Sequence, residues 1–135
     1  MKNHFVLFDL DGTITDSSKG IVNSILYALE KMGKREGDTD RLRSYVGPSL
    51  KETFQKNYFL NDKDCQQAIM FYREYYSKKG IFENTLYVDV LKVLKIIKDR
   101  GGVIAIATAK PSYFAKIILN YFGINNYFDS IVGSH

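Results

Sequence analysis

The chain has 135 residues, 45% of them hydrophobic and 25% charged, the balance of a globular soluble domain and not of a disordered segment. The formal charge of +4 comes from lysines scattered over several segments; it reads as solvated helix faces, suits a phosphate-bearing small substrate, and offers no clustered basic motif for nucleic acid. Cys65 is the only cysteine and no apolar run reaches membrane-spanning length, which excludes an intrachain disulfide and a membrane role and fits a reducing cytoplasm.

In chain order, Phe5-Val6-Leu7-Phe8 is an unbroken apolar run that stops at Asp9-Leu10-Asp11-Gly12. A continuous run predicts a strand buried on both faces of a parallel sheet. From about Asp16 to Asn84 strand signals are absent and helical ones dominate. Ile21, Ile25, Leu29 and Met32 are spaced for a helix that Gly33 ends. Ser49 to Glu52 forms a capping box ahead of Phe54 and Tyr58, and Asn61 caps a helix carrying Cys65, Ala68, Ile69, Tyr72 and Tyr76. This all-helical stretch, taken as residues 15–85, reads as an insert joined through Thr13–Asp16 and Ile81–Tyr87, placed to act as a lid over the loop that starts at Asp9.

The α/β pattern then resumes over residues 86–135, which with 1–14 make the core. Val90, Leu91, Leu94 and Ile97 predict a helix closed by Gly101, and Val103 to Ala107 a second strand ending at Thr108. Pro111 suits the first turn of a following helix whose inward residues are Phe114, Ile117, Ile118, Tyr121 and Phe122. Ser130 to Gly133 is a third, shorter strand, completing a right-handed crossover.

Asp9 and Asp11 stand just past the carboxyl end of the first strand, where open α/β sheets bind ligands. Two carboxylates one residue apart in a glycine-containing turn can converge, one attacking an electrophile while the other handles a proton, and together can hold a hard cation. Asp and Gly also favour turns for purely local reasons, and the four residues by themselves leave both readings open. A calcium loop fits poorly, because Gly20 stands where a bidentate Glu belongs.

The longer run Phe5 to Ser17, an apolar strand followed by Asp-x-Asp-Gly-Thr and then Asp-Ser opening a helical insert, resembles the first signature of the haloacid-dehalogenase superfamily. Val103 to Thr108 resembles its second signature. Gly47-Pro48-Ser49-Leu50 and Gly80 to Asn84 resemble the phosphoglycolate-phosphatase-like branch. The resemblance implies a Rossmann-like α/β core of about three parallel strands with an inserted α-helical cap. It also implies a magnesium-dependent phosphatase for a small phosphorylated metabolite, phosphoglycolate-like or alternatively a nucleoside 5′-monophosphate. By that resemblance Asp9 is the nucleophile that becomes an aspartyl-phosphate, and Asp11 is the acid–base group. The Asp9 carboxylate and the Asp11 main-chain carbonyl bind Mg2+; Thr108, Ala109 and Lys110 hold the phosphate, helped by the N–H groups of the next helix. Thr13 and Ser17 brace the turn or contact substrate, Asp16 reads as a helix cap, and His4 and His135 have no partners at metal-ligand spacing.

An acid at position 11 argues against dehalogenase chemistry, whose halide needs no proton, and for a phosphatase or phosphomutase. Two features depart from the family. Its lysine beyond the third strand and its acidic pair after the fourth are not among these residues, and Asp89 stands where the branch has a glycine. We therefore expect a first portion of a core, with Phe5–Phe8 left as an edge that a partner chain or a further C-terminal segment covers. A truncated, non-catalytic phosphate- or protein-binding relative is the second reading.

Overall fold

The computed structural model describes residues 4–134. The elements are β1 (Phe5–Phe8), β2 (Thr15–Asp16), α1 (Ser18–Lys31), α2 (Thr39–Arg43), α3 (Leu50–Tyr58), α4 (Asp62–Lys78), β3 (Thr85–Leu86), α5 (Val90–Asp99), β4 (Val103–Pro111), α6 (Ser112–Tyr121) and β5 (Ser130–Ser134). They form two compact units, residues 4–16 with 85–134, and Ser17–Asn84.

The first unit is α/β. Its three-stranded sheet runs β1-β4-β5, all parallel, with Phe5 opposite Val103 and Phe8 opposite Ile106. Two right-handed crossovers that step the same way across a sheet put α5 and α6 on one face. Burial agrees: Ile104 and Ile106 are fully buried, whereas Phe5 (64% exposed), Leu7 (58%) and Val132 (62%) lie on the opposite, open face with Val103. The expectation that β1 is buried on both faces is thus corrected. It lies at the sheet's edge with one side covered, and a run of apolar residues cannot tell a covered face from an open one. Asp129 ties the helical layer to the sheet. Its carboxylate accepts the Ile104 N–H (2.8 Å) and pairs with Lys98 of α5, and its own N–H donates to the Ile104 carbonyl (2.7 Å). The Lys98 ammonium first, and the Ile104 amide second, hold this carboxyl below its usual range.

Both helices differ from the expected stripes in detail. In α5, Leu94 and Ile97 are buried but Leu91 is 40% exposed. In α6 the inward line is Ala115, Ile118 and Leu119, an i, i+3, i+4 set, and Tyr121 is exposed. Weight given to aromatic size drew the predicted stripe toward Tyr121 and away from Ala115 and Leu119. Pro111 sits at the N-cap, still extended at ψ 134°, and not in the first turn.

A second correction concerns the joints. Thr15 pairs with Leu86 and Asp16 with Thr85 in a two-stranded antiparallel ribbon, extended by the Tyr87 N–H donating to the Ile14 carbonyl at 3.2 Å. Two residues per strand are too few to show a period, so they read as loop. Asp16 belongs to this ribbon and Ser17 takes the N-cap of α1, without a side-chain capping bond.

The second unit is all-α. Ser49 Oγ accepts the Glu52 N–H (3.1 Å) and Asn61 Oδ1 the Asp64 N–H (2.8 Å), as their positions before α3 and α4 require. The short α2, which carries little periodicity, was not foreseen; Asp38 caps it. Packing of α1 uses Ile21, Ile25, Ala28 and Leu29, that of α4 uses Cys65, Ala68, Tyr72 and Tyr76, and Phe54 of α3 is fully buried. Gly20 and Gly80 let the chain approach itself closely: a Cβ on Gly20 would lie 2.0 Å from the Gly80 carbonyl oxygen. Cys65 is buried, and that burial pushes its thiol pKa up, the setting of an inert thiol.

Candidate active site

All five residues singled out as catalytic or phosphate-binding lie in the α/β unit, at the carboxyl end of the sheet. Beyond Phe8 the chain tightens around Leu10. Its side chain is fully buried, and its carbonyl accepts N–H groups from Thr13 (3.2 Å), Ile14 (2.9 Å) and Thr15 (3.1 Å). Gly12 takes φ +83°, a left-handed conformation suited to glycine, and its N–H donates to the Thr15 carbonyl at 2.8 Å. Asp9 and Asp11 therefore flank an anchored residue. Asp9 is exposed, with Oδ1 accepting the Leu10 N–H at 2.8 Å. Asp11 is half-buried; its Oδ2 is 3.5 Å from Lys110 Nζ, and its Oδ1 is buried with no hydrogen-bond partner.

Lys110 reaches Asp11 because β4 does not end at Thr108. The strand continues to Pro111, but its pairing with β5 jumps from Ala107–Val132 to Pro111–Ser134. Four residue steps on β4 face two on β5, so Thr108, Ala109 and Lys110 leave the ladder as a bulge, a device that re-aims side chains at the end of a strand. The expectation that Thr108 ends the strand is corrected accordingly. The Lys110 N–H donates to Thr108 Oγ1 at 3.1 Å, which commits that amide locally and leaves the Thr108 hydroxyl a proton to donate. Ala109 is exposed. Lys110's side chain is only 10% exposed. Burial lowers its pKa below the ordinary lysine value, and the Asp11 carboxylate partly offsets the shift.

One shaping residue escaped the sequence reading. A Cβ on Gly133 of β5 would lie 2.6 Å from the Lys110 carbonyl oxygen, 2.7 Å from the Ser112 nitrogen and 2.8 Å from the Ser112 Cα. Only a glycine lets β5 pass so close to the bulge. The available signal was the glycine interrupting the short apolar run of the third strand.

The donor set suits a hard cation. The exposed Asp9 carboxylate and the Asp11 main-chain carbonyl are oxygen ligands, and magnesium takes one or two carboxylates with carbonyl, water and phosphate oxygens. The buried, unpartnered Asp11 Oδ1 is left to carry a proton. Among the described residues no group of three or more His, Cys, Asp or Glu converges.

Residues 6–135 match the family model for haloacid dehalogenase-like hydrolases. The chain belongs to this family. It is 36% identical over 129 residues to a 5′-nucleotidase of Pseudomonas aeruginosa, a match covering 96% of this chain and 58% of that protein. To a phosphoglycolate phosphatase of Aquifex aeolicus it is 30% identical over 128 residues, covering 95% and 59%. The structure of Protein Tyrosine Kinase A from Mycobacterium tuberculosis superposes with a TM-score of 0.87 at 37% identity, over 97% of this chain and 60% of that one. This haloacid dehalogenase-like chain thus spans about three fifths of the length of the proteins it matches. Among its described residues, no helix is long and apolar enough to cross a membrane.

Proposed function

We propose that this chain carries the nucleophile and the acid–base group of a magnesium-dependent phosphatase acting on a small phosphorylated metabolite through an aspartyl-phosphate. The observation that carries the reading is the grouping, in one unit, of an exposed Asp9, an Asp11 paired with Lys110, and a bulge at Thr108–Lys110 whose lysine reaches Asp11. In this reading an Asp9 carboxylate oxygen attacks phosphorus, the phosphorus–oxygen ester bond breaks, and Asp11 gives the leaving oxygen its proton. Asp11, now a carboxylate, takes a proton from the water that attacks the phosphoenzyme, releasing phosphate and restoring Asp9. Lys110 and the Thr108 hydroxyl hold the non-bridging oxygens, where negative charge is greatest. Magnesium held by the Asp9 carboxylate and the Asp11 main-chain carbonyl would supply charge neutralisation for the phosphoryl group. The names of two relatives support phosphoglycolate-like or nucleoside 5′-monophosphate substrates, and the helical unit is the part left to select among them.

The test is Asp9→Asn in the whole protein, assayed on an aryl phosphate with magnesium and by trapping of acid-stable phosphoenzyme. An amide is a far poorer nucleophile, so both signals should vanish with the fold intact. Retained turnover in a folded Asp9→Asn protein would end the assignment.

A further inference from the structure

The helical unit has a pocket of its own. It measures about 330 Å3, at the small end of the range for ligand sites, and lies between the first turns of α1 and the α2 helix. Lys19 and Arg43 line it, with Ser18, Asn23 and Thr39 as polar wall and no carboxylate in the lining. Neither the Lys19 nor the Arg43 side chain makes an ion pair or hydrogen bond among the described residues. The contrast with Arg41, two residues away, is plain. Arg41 is tied to Glu36 (3.3 Å), to the Tyr45 hydroxyl (2.8 Å) and to the Asn57 carbonyl (3.1 Å). Glu83, the carboxylate that the lining residue Asn23 contacts, is also committed: its two oxygens accept from Asn23 Nδ2 and the Tyr75 hydroxyl, each at 2.8 Å.

We propose that this pocket is an anion-binding site, taking a phosphate or carboxylate group between Lys19 and Arg43. Two unpartnered cations of unlike reach around one concavity concentrate positive potential there, and a planar guanidinium matches either oxyanion with paired hydrogen bonds. The Ser18, Asn23 and Thr39 side chains make the rest of the wall polar beside the two cations. The same chemistry has two sources, the anionic group of a phosphorylated metabolite, or a free small anion. The first source rests on the phosphatase reading and the second does not.

The test titrates the whole protein with pyrophosphate and with malonate, following the backbone amides of Lys19, Asn23 and Thr39 by NMR. Saturable shifts are expected that weaken with added salt, and Arg43→Gln should weaken binding roughly tenfold or more, the cost of a charge-assisted hydrogen-bond pair. Lys19→Gln is the second variant, and both positions are exposed, so neither change should disturb folding. A kinetic arm compares 2-phosphoglycolate with an aryl phosphate. A rise in KM for phosphoglycolate alone assigns the anion to a phosphorylated metabolite; unchanged KM values with lost pyrophosphate binding assign a free anion. Binding without any turnover keeps the pocket and removes the phosphatase reading. Absence of saturable shifts, unchanged affinity in both variants, or an equal loss on both substrates overturns the proposal.

Discussion

Gly133→Ala should damage the bulge from a distance in sequence of more than twenty residues. The added Cβ meets the Lys110 carbonyl oxygen at 2.6 Å and two backbone atoms of Ser112 at 2.7 and 2.8 Å. Opening the shortest of these to even a tight contact requires the strands to part by roughly 0.6–0.8 Å, since carbon contacts become attractive only near 3.5 Å. No flexible side chain is involved, so the backbone of Lys110 and the start of α6 must move. The stability cost expected for such overpacking is about 1–3 kcal/mol. A shift approaching 1 Å of Lys110 and Thr108 relative to Asp11 should cost on the order of 10²-fold in turnover. Denaturant unfolding gives the first quantity, aryl-phosphate hydrolysis per folded molecule the second, and the amide shifts of Thr108 to Lys110 report the displacement without any activity. Gly37→Ala, where a Cβ meets nothing within 4 Å, is the control and should be silent in all three. Unaltered stability, shifts and turnover in Gly133→Ala would refute the reasoning.

Asp11→Asn should slow hydrolysis by roughly 10²–10⁴-fold, and it should lower the Lys110 pKa further, because Asp11 is what offsets the effect of burial; a Lys110 titration unchanged by the substitution would show the pair is not formed. Asp89→Gly should stabilise the protein by up to about 1 kcal/mol: Asp89 takes φ +72° without a side-chain capping bond, and the roughly 1–2 kcal/mol strain of a left-handed residue exceeds glycine's entropic cost. A lower unfolding midpoint for that variant would count against it. The 135-residue chain, with Phe5 and Leu7 open on an edge strand, should self-associate in concentration-dependent sedimentation, and Leu7→Lys should reduce this; a wild-type chain that stays monomeric at high concentration would contradict it.

The proximity of the candidate residues was only partly legible. Asp9 and Asp11 are marked by the abrupt end of an apolar run, a local signal, whereas the end of the run at Thr108 marks a bulge and not the end of β4. Helix ends were also local: Ser49, Asn61, Gly33 and Gly101 cap or close their helices as their side chains, or lack of one, dictate. What stayed hidden depends on neighbours distant in sequence. The ribbon of Thr15–Asp16 with Thr85–Leu86 exists through pairing across about seventy residues. The open face of β1 and the role of Gly133 likewise depend on which strand lies alongside. Asp89 is the intermediate case: glycine is usual in the branch it resembles, and its φ of +72° gives the physical reason.

Register joins these two levels. Phe8 lies opposite Ile106, so Asp9 leaves β1 at the height of Ala107, the last paired residue of β4 before the bulge, and Asp11 in the turn around Leu10 meets Lys110 of that bulge. A slip of one residue would turn Ile104 and Ile106 out of the helical layer that buries them, costing roughly 1.5–3 kcal/mol for each side chain exposed. It would also carry Lys110 one strand step, about 3.3 Å, from its place 3.5 Å from Asp11. The apolar side chains that contribute nothing to the chemistry therefore fix the distance on which the chemistry depends. For that reason substitutions at Ile104 or Ile106 that preserve volume should leave the Asp11–Lys110 pair intact, whereas those that make β4 polar should loosen both fold and site together.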